Sequence, residues 1–146
     1  MVKQTRQQAA NETQPTSSDA ARPEVIVEFL FERGLLFIAV NNIGERPALN
    51  VAVKFNQKLM GWGGTKDVAA LALFKSIAFL GPGREITTFL DRSSSYFTSK
   101  QPTKIQADVS YTDLEKREYV QTIKHDLEIY RDLAIVVSTG LVEEEF

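Results

Sequence analysis

Apolar and polar residues alternate along much of the chain between residues 24 and 127. In residues 24–32, valine and phenylalanine fall on one face and glutamate on the other. Because successive side chains of a strand point to opposite faces, this period of two predicts a half-buried strand. It recurs in three further segments, whose predicted inward rows are Leu49, Val51, Val53 and Phe55, then Ile105, Ala107, Val109 and Tyr111, and then Tyr119, Gln121, Ile123, His125 and Leu127.

Two more strands follow from apolar content and turn residues. Residues 35–40 are apolar on both faces, which predicts a central strand. Residues 76–80 and 85–90 flank Gly81-Pro82-Gly83-Arg84, which has proline and glycine where a type II turn needs them. We therefore expect these two segments to pair as a hairpin.

The segment 65–74 has two interpretations. Thr65 or Asp67 is a candidate N-cap for a short helix that ends near Phe74, because Val68, Leu71 and Phe74 recur at helical spacing. A strand remains an alternative, since Leu71, Leu73, Ile77 and Phe79 also alternate.

The pattern divides the chain into three parts. Residues 1–22 are polar and lack apolar periodicity, which predicts a disordered N-terminal arm. Residues 23–130 hold about seven predicted strands separated by turns, which is typical of an antiparallel sandwich or barrel. Residues 131–146 form a C-terminal extension with an acidic tail, and the role of its apolar run 133–137 is open.

Composition and charge exclude several classes of function. The net charge of −2 argues against nucleic-acid binding, which needs a basic surface for phosphates. Without cysteine there is no thiolate chemistry, and the apolar window 68–80 is too short to span a bilayer. The first residues lack the apolar run of a signal peptide. These features favour the cytoplasm, with a periplasmic or surface location as the alternative.

The best candidate for a binding site is Gly61-Trp62-Gly63-Gly64, because three glycines in four residues disfavour both strand and helix. A tryptophan between glycines on a loop suits insertion into a partner's pocket or stacking on a sugar, with an exposed Tyr96 as second platform. The alternative is structural: Trp62 folds back and plugs the open end of the sandwich.

Catalysis and metal binding find little support. His125 is the single histidine, and Ser93, Ser94 and Ser95 lack a nucleophile-elbow pattern, so a triad is not indicated. Asp108, Asp113 and Glu115 lack the spacing and central glycine of a calcium loop, and a turn explains them better. We expect no cofactor, no metal and no enzymatic activity.

A family resemblance sharpens the fold class. Asn42, Gly44, Ala48, Val51 and Val53, with the turn Gly81–Gly83 and the segment 105–119, resemble bacterial cell-adhesion-related domains, which are fibronectin-III-like. The resemblance implies an all-β, Ig-like antiparallel sandwich over residues 24–127. The chain departs from the family pattern at Gly61–Phe74, a short helical insertion between the third and fourth strands that is longer than the pattern needs. It implies structural roles: positive φ at Gly44, backbone hydrogen bonds from Asn42, and a small Ala48 where the sheets close.

Together these observations predict a non-catalytic structural or protein–protein interaction module. Its partner is an unidentified protein bound by a loop end or a sheet edge. Glu24, Glu28 and Glu32 resemble edge protection on the first strand and argue against self-association at that edge. The alternative is a carbohydrate-binding module that uses Trp62.

Overall fold

The computed structural model describes residues 21–136, with side chains described through residue 133. Within this range the strands are β1 Val25–Glu32, β2 Leu35–Asn42, β3 Ala48–Phe55, β4 Met60–Gly61, β5 Lys66–Asp67, β6 Ile77–Leu80, β7 Glu85–Arg92, β8 Lys104–Thr112 and β9 Glu118–Asp126. The short helices are α1 Ala72–Lys75, α2 Ser93–Thr98 and α3 Arg131–Val136, with 3-10 turns at Val68–Ala70 and Leu127–Tyr130.

The fold is an antiparallel β-sandwich, as predicted. One sheet has three strands in the order β1-β2-β7, and the other has four in the order β6-β3-β8-β9. β4 and β5 form a separate two-stranded ribbon. The inward rows of the two sheets share one core, whose largest fully buried side chains include Leu36, Ile38, Phe74, Leu90 and Tyr96. Burial of these apolar rows is the main stabilising term.

The predicted inward row of β3 is wrong at one position. Leu49 is only partly buried, whereas Ala48, Val51 and Val53 are buried. The register with β8 shifts between Leu49 and Ala52, and Asn50 has a φ of 53°. One extra residue in a strand displaces the alternation that precedes it, so this β-bulge turns Ala48 inward in place of Leu49.

The predicted hairpin between residues 76–80 and 85–90 is also wrong. β6 pairs with β3, and β7 pairs with β2, so the intervening turn crosses from one sheet to the other. The turn itself has the expected form, because Arg84 N–H donates to the Gly81 carbonyl at 3.1 Å and Gly83 has a φ of 76°. Its neighbour is the end of β2: Gly83 N–H donates to the Asn42 carbonyl at 2.8 Å.

The helical interpretation of segment 65–74 holds, in two pieces. Asp67 Oδ1 accepts from Ala69 N–H and caps the 3-10 turn at Val68–Ala70. Leu71 is extended, with a ψ of 150°, and separates this turn from α1. Phe74 on α1 is buried against Phe55 at a ring-centroid distance of 5.0 Å. The insertion therefore closes the core beside β3.

Asn42 and Gly44 lie at the corner after β2, and the predicted conformation of Gly44 is wrong. Asn42 Oδ1 accepts from the N–H groups of Glu24 and Gly44 at 3.1 and 3.0 Å. Its Nδ2 donates to the carbonyls of Arg46 and Leu80 at 2.8 and 3.1 Å. Gly44 does not adopt the predicted positive φ; a Cβ there would lie 2.3 Å from the Arg22 carbonyl oxygen. Close backbone approach, not left-handed geometry, requires glycine.

Parts of the predicted N-terminal arm and C-terminal extension, residues 1–20 and 137–146, lie outside the described residues. The beginning of the run 133–137 belongs to α3, where Leu133 is 45% exposed. Over residues 21–136, no helix combines the length and apolar character needed to cross a membrane.

Candidate functional site

A β-bulge near the end of β7 sets up the candidate site. Leu36 of β2 pairs with Asp91 and Phe37 pairs with Phe89, so Leu90 is an extra residue in β7. Leu90 and Asp91 are both buried as a result. β7 is an edge strand of its sheet, and the bulge leaves the Leu90 carbonyl at that edge without a place in the ladder.

The Trp62 loop, residues Gly61–Gly64, covers this edge. Trp62 N–H donates to the Leu90 carbonyl at 2.9 Å, and its indole Nε1–H donates to the Phe89 carbonyl at 3.0 Å. A Cβ on Gly61 would lie 2.0 Å from the Leu90 oxygen, so only glycine allows this approach. The loop therefore covers the edge of β7 and forms hydrogen bonds with its edge carbonyls.

Asp91 and the loop's own turn hold Trp62 in place. Gly63 N–H donates to Asp91 Oδ1 at 3.1 Å, and Thr65 N–H donates to the Gly61 carbonyl at 3.0 Å. Trp62 has a φ of 54° and a side chain that is 43% exposed. Its polar N–H is satisfied by Phe89, so the exposed part is apolar ring. Trp62 thus clasps the edge of β7 and does not plug the open end of the sandwich.

Trp62 lies at the edge of β7, bonded to the Phe89 carbonyl, and Phe89 belongs to a row of apolar side chains on the outer face of the three-stranded sheet. The register places Leu30 beside Phe37 and Phe37 beside Phe89. All three point away from the core and are partly exposed, and the rings of Phe37 and Phe89 meet edge-to-face at 5.9 Å. We call Leu30, Phe37, Phe89 and Trp62 the apolar row. It crosses the full width of the sheet.

A second row with charged ends lies next to the apolar row on the same face. Leu35 of β2 pairs with Glu32 of β1 on one side and with Arg92 of β7 on the other. Leu35 is partly exposed, and Glu32 and Arg92 are exposed. An acidic group therefore stands at one edge of this face and a basic group at the other.

Tyr96 is not exposed, so the prediction of a second aromatic platform is wrong. Its side chain is fully buried in α2, and its hydroxyl donates to the Pro102 carbonyl at 2.7 Å. Burial and the negative charge of Asp91 raise the pKa of this hydroxyl. The polar stretch after β7 hid the short helix α2, which turns Tyr96 and Phe97 into the core.

His125 lies on the inward side of β9 and not beside a nucleophile. Its ring meets Phe29 edge-to-face at 5.0 Å, and its Nε2 is buried without a hydrogen-bond partner. Burial lowers the pKa of His125, and the nearby Val27 backbone and the negative charge of Glu28 oppose this shift. Ser93 Oγ is likewise buried without a partner, and no hydrogen bond joins His125 to residues 93–95 in the described structure.

The three candidate carboxylates serve the β8–β9 hairpin. Asp113 is buried, accepts from the N–H groups of Glu115 and Arg117 through Oδ1, and accepts from Arg117 Nε and Tyr119 Oη through Oδ2. Burial alone would raise the pKa of Asp113, but these hydrogen bonds outweigh it and hold the pKa far below the usual range. Asp108 instead accepts from Thr122 Oγ1 at 2.8 Å on the sheet surface. Among the described residues no group of three potential ligands converges.

Side chains from the opposite sheet cover the other edge of the three-stranded sheet. Gln121 Nε2 donates to the Val25 carbonyl, and Tyr130 Oη donates to the Phe29 carbonyl at 3.2 Å. Two edge carbonyls of β1 are therefore already hydrogen-bonded within the chain.

Two open grooves lie elsewhere on the part of the chain that the structure describes. One of about 460 Å³ lies between β3 and the insertion, with Lys54, Lys58 and Lys75 in its lining. Asp67 lines the same groove, but its Oδ1 accepts from the Leu59 and Ala69 N–H groups. A second groove of about 340 Å³ is lined by His125 and by the ion pair of Lys104 with Asp126.

Sequence reasoning identified Trp62 and its glycines but missed Leu30, Phe37 and Phe89. A signal was present, because residues 35–40 are apolar on both faces and the sheet has only one core face. The alignment of these residues into one row depends on strand register, which the local pattern does not contain.

Comparison with known proteins places the chain in a family without assigning an activity. No curated protein and no solved structure matches it. Residues 1–131 match the family described as a domain of unknown function, DUF8453. The match spans most of the chain, and the protein belongs to this family.

Proposed function

We propose that the protein is a non-catalytic protein–protein interaction module that binds its partner on the outer face of the three-stranded sheet. The observation that carries this proposal is the apolar row, which presents one leucine, two phenylalanines and a tryptophan on a solvent-facing surface. Contiguous apolar patches with a polar rim mark interaction sites in soluble proteins. Tryptophan is also enriched among residues that dominate binding energy.

The rigidity of Trp62 supports the same proposal. Its backbone and indole N–H groups are both bonded to β7, and Asp91 holds the next residue. A side chain that is already ordered loses less conformational entropy when a partner covers it. Trp62 is therefore a suitable anchor, with Phe89 and Phe37 as the adjoining surface.

The sheet order supports the Ig-like assignment as part of this proposal. β1, β2 and β7 face β6, β3, β8 and β9, with the chain crossing between the sheets after β2, after β6 and after β7. Ig-like and fibronectin-type domains are sandwiches of this size with crossed connections. The fold carries many unrelated functions, so the binding role rests on the apolar row and not on the fold.

A pull-down with matched variants tests the proposed function. We expect tagged wild-type protein to retain a specific protein partner, and the variants Trp62→Ala and Phe37→Ser to lose it. The control is Phe79→Ser, because Phe79 is also an exposed aromatic residue but belongs to β6 of the other sheet. This control should retain the partner at the wild-type level.

The possible outcomes separate this proposal from its alternatives. Retention of every partner by Trp62→Ala and Phe37→Ser would overturn binding through this face. Retention by immobilised oligosaccharides, lost in Trp62→Ala, would replace the protein partner with a carbohydrate. Circular dichroism of each variant should match the wild type, so that lost binding is not lost folding.

A further inference from the structure

We infer that the outer face of the three-stranded sheet binds a second copy of this chain, in a symmetric face-to-face dimer. The inference rests on the proposed function and names the partner. A symmetric dimer brings the same patch of both copies together, so the patch must complement itself. The apolar row and the charged ends of the neighbouring row meet this requirement.

The strand order determines which residues meet. Consider a two-fold axis that runs along β2 in the plane between the two faces. It lays β1 of one copy over β7 of the other, because these strands flank β2 on opposite sides. Phe37 then meets the Phe37 of the second copy, and Leu30 of each copy meets Phe89 of the other. Leu30, Phe37 and Phe89 of both copies are therefore covered by apolar side chains, and Trp62 of each copy lies past the β1 edge of the other.

The charged row complements itself under the same axis. Glu32 and Arg92 lie at opposite edges of the sheet in one row, with Leu35 between them. The axis therefore places Glu32 of each copy over Arg92 of the other, and Leu35 over Leu35. Two opposite-charge contacts form at the rim, one at each edge. Rim charges of this kind fix the register of an interface and suppress other arrangements.

The edges of this face are already closed within one chain. The Trp62 loop covers β7, and Gln121 with Tyr130 covers carbonyls of β1. Side-by-side strand pairing of two copies is therefore disfavoured, in agreement with the glutamates on β1. Face-to-face packing uses the surface that remains open, with the strands of the two sheets aligned.

The size of the face predicts weak association. Three strands of eight residues cover an area of about 14 by 26 Å. The Trp62 loop extends this area at one edge, but each copy still buries less than the roughly 800 Å² of a standard interface. We expect a dimer that forms in the micromolar range or above and dissociates on dilution.

Charge reversal across the interface tests the arrangement. Sedimentation velocity should show concentration-dependent dimerisation of the wild type, with Phe37→Ser and Phe89→Ser reducing it. Glu32→Arg places arginine over arginine, and Arg92→Glu places glutamate over glutamate. Each single variant should dimerise at least about tenfold more weakly than the wild type.

Mixing the two single variants gives the decisive measurement. In a mixed pair, Arg at position 32 faces Glu at position 92, and the native Glu32 faces the native Arg92. An equimolar mixture should therefore form a heterodimer with near wild-type affinity, and the double variant should dimerise with itself. Higher salt should weaken the wild-type dimer, because the rim charges are exposed.

Four results would overturn the dimer. The first is a wild type that stays monomeric up to about 1 mM, and the second is single variants that dimerise as well as the wild type. The third is an equimolar mixture that stays monomeric. The fourth is a monomer in which acrylamide quenches Trp62 only after residues 1–22 are removed. The last result would assign the face to the chain's own N-terminal segment. These four results do not affect the interpretation of the pull-down. The pull-down decides separately whether this face binds a different protein.

Discussion

Asn42 is a buried polar side chain whose hydrogen-bonding capacity is fully used. It joins the segment before β1, the corner after β2 and the end of β6 through four bonds to backbone groups. A buried side chain with this many backbone partners organises the loops at one end of the sandwich. Removing it would leave two N–H groups and two carbonyls without their partner.

We expect Asn42→Ala to lower the free energy of unfolding by about 2–4 kcal/mol, because buried groups left unsatisfied are costly. Urea denaturation at pH 7 measures the change. The matched control is Asn41→Ala, since Asn41 is the neighbouring residue but points to the outer face. It should change stability by less than about 0.5 kcal/mol. Equal effects from the two substitutions would contradict the role assigned to Asn42.

His125 makes stability depend on pH. Its folded-state pKa lies below the ordinary value of 6.5, mainly because burial disfavours the charged imidazolium. As the pH falls below about 6.5, the unfolded chain takes up this proton before the folded chain does. Stability contributed by the neutral ring is therefore present above pH 6.5 and is lost as the pH falls towards the lower folded-state pKa.

We expect the wild type to lose stability between pH 7 and pH 5.5, and His125→Gln to lose much less. The chain has one histidine, so no second imidazole contributes to the difference. Urea midpoints at several pH values measure both slopes. Identical slopes for the wild type and the variant would show that His125 does not cause the dependence.

The Trp62 loop is the element in which one glycine decides the geometry. Gly61 passes so close to the Leu90 carbonyl that a side chain has no space, while Gly63 and Gly64 have φ values of 72° and 84° in open surroundings. The first glycine is needed for contact and the other two for the turn. The loop, the bulge in β7 and Asp91 therefore form one unit.

We expect Gly61→Ala to lower the free energy of unfolding by about 2 kcal/mol or more, since the added Cβ displaces the loop from β7. Trp62 emission should shift to the red and acrylamide quenching should increase as the indole loses its bond to Phe89. The control is Gly81→Ala, where a Cβ would meet its nearest atom at 3.5 Å and the φ is not positive. Unchanged Trp62 emission in Gly61→Ala would argue against the contact of the Trp62 loop with β7.

At the scale of the whole molecule, side chains tie the two sheets together along β1. Gln121 of β9 reaches the Val25 carbonyl, and Tyr130 after β9 reaches the Phe29 carbonyl. Tyr130 also stacks on Phe31 at a ring-centroid distance of 5.4 Å. These contacts close one side of the sandwich, as the Trp62 loop closes the edge at β7.

We expect Gln121→Ala and Tyr130→Phe to cost about 1 kcal/mol each, with effects that add within about 0.5 kcal/mol. Additivity follows because their acceptors are four residues apart on one strand, roughly 13 Å. Denaturation of both single variants and the double variant measures this. Lys124→Ala, on the outward face of β9, is the control and should be nearly neutral. Strong coupling between the two sites would mean that the closure opens as one unit.

Local pattern was sufficient for the class of fold and for the principal strands. Residues 24–32 and 105–111 have the predicted inward rows because side-chain direction alternates with each residue of a strand. The turn at Gly81–Arg84 and the N-cap at Asp67 could also be predicted from the sequence, because their geometry depends on residues that are neighbours in sequence.

Contacts between distant residues decided the rest. Pairing of β7 with β2 and of β6 with β3, the bulges at Asn50 and Leu90, and the burial of Tyr96 all arise from packing between segments far apart in sequence. The apolar row is one of these features, because Leu30, Phe37, Phe89 and Trp62 come from four segments and meet only through register and the bulge. Amino-acid order encodes which face each side chain takes on its own strand. Which strand pairs with which depends on the free energy of packing the complete core, and the sequence of one short segment does not determine that free energy.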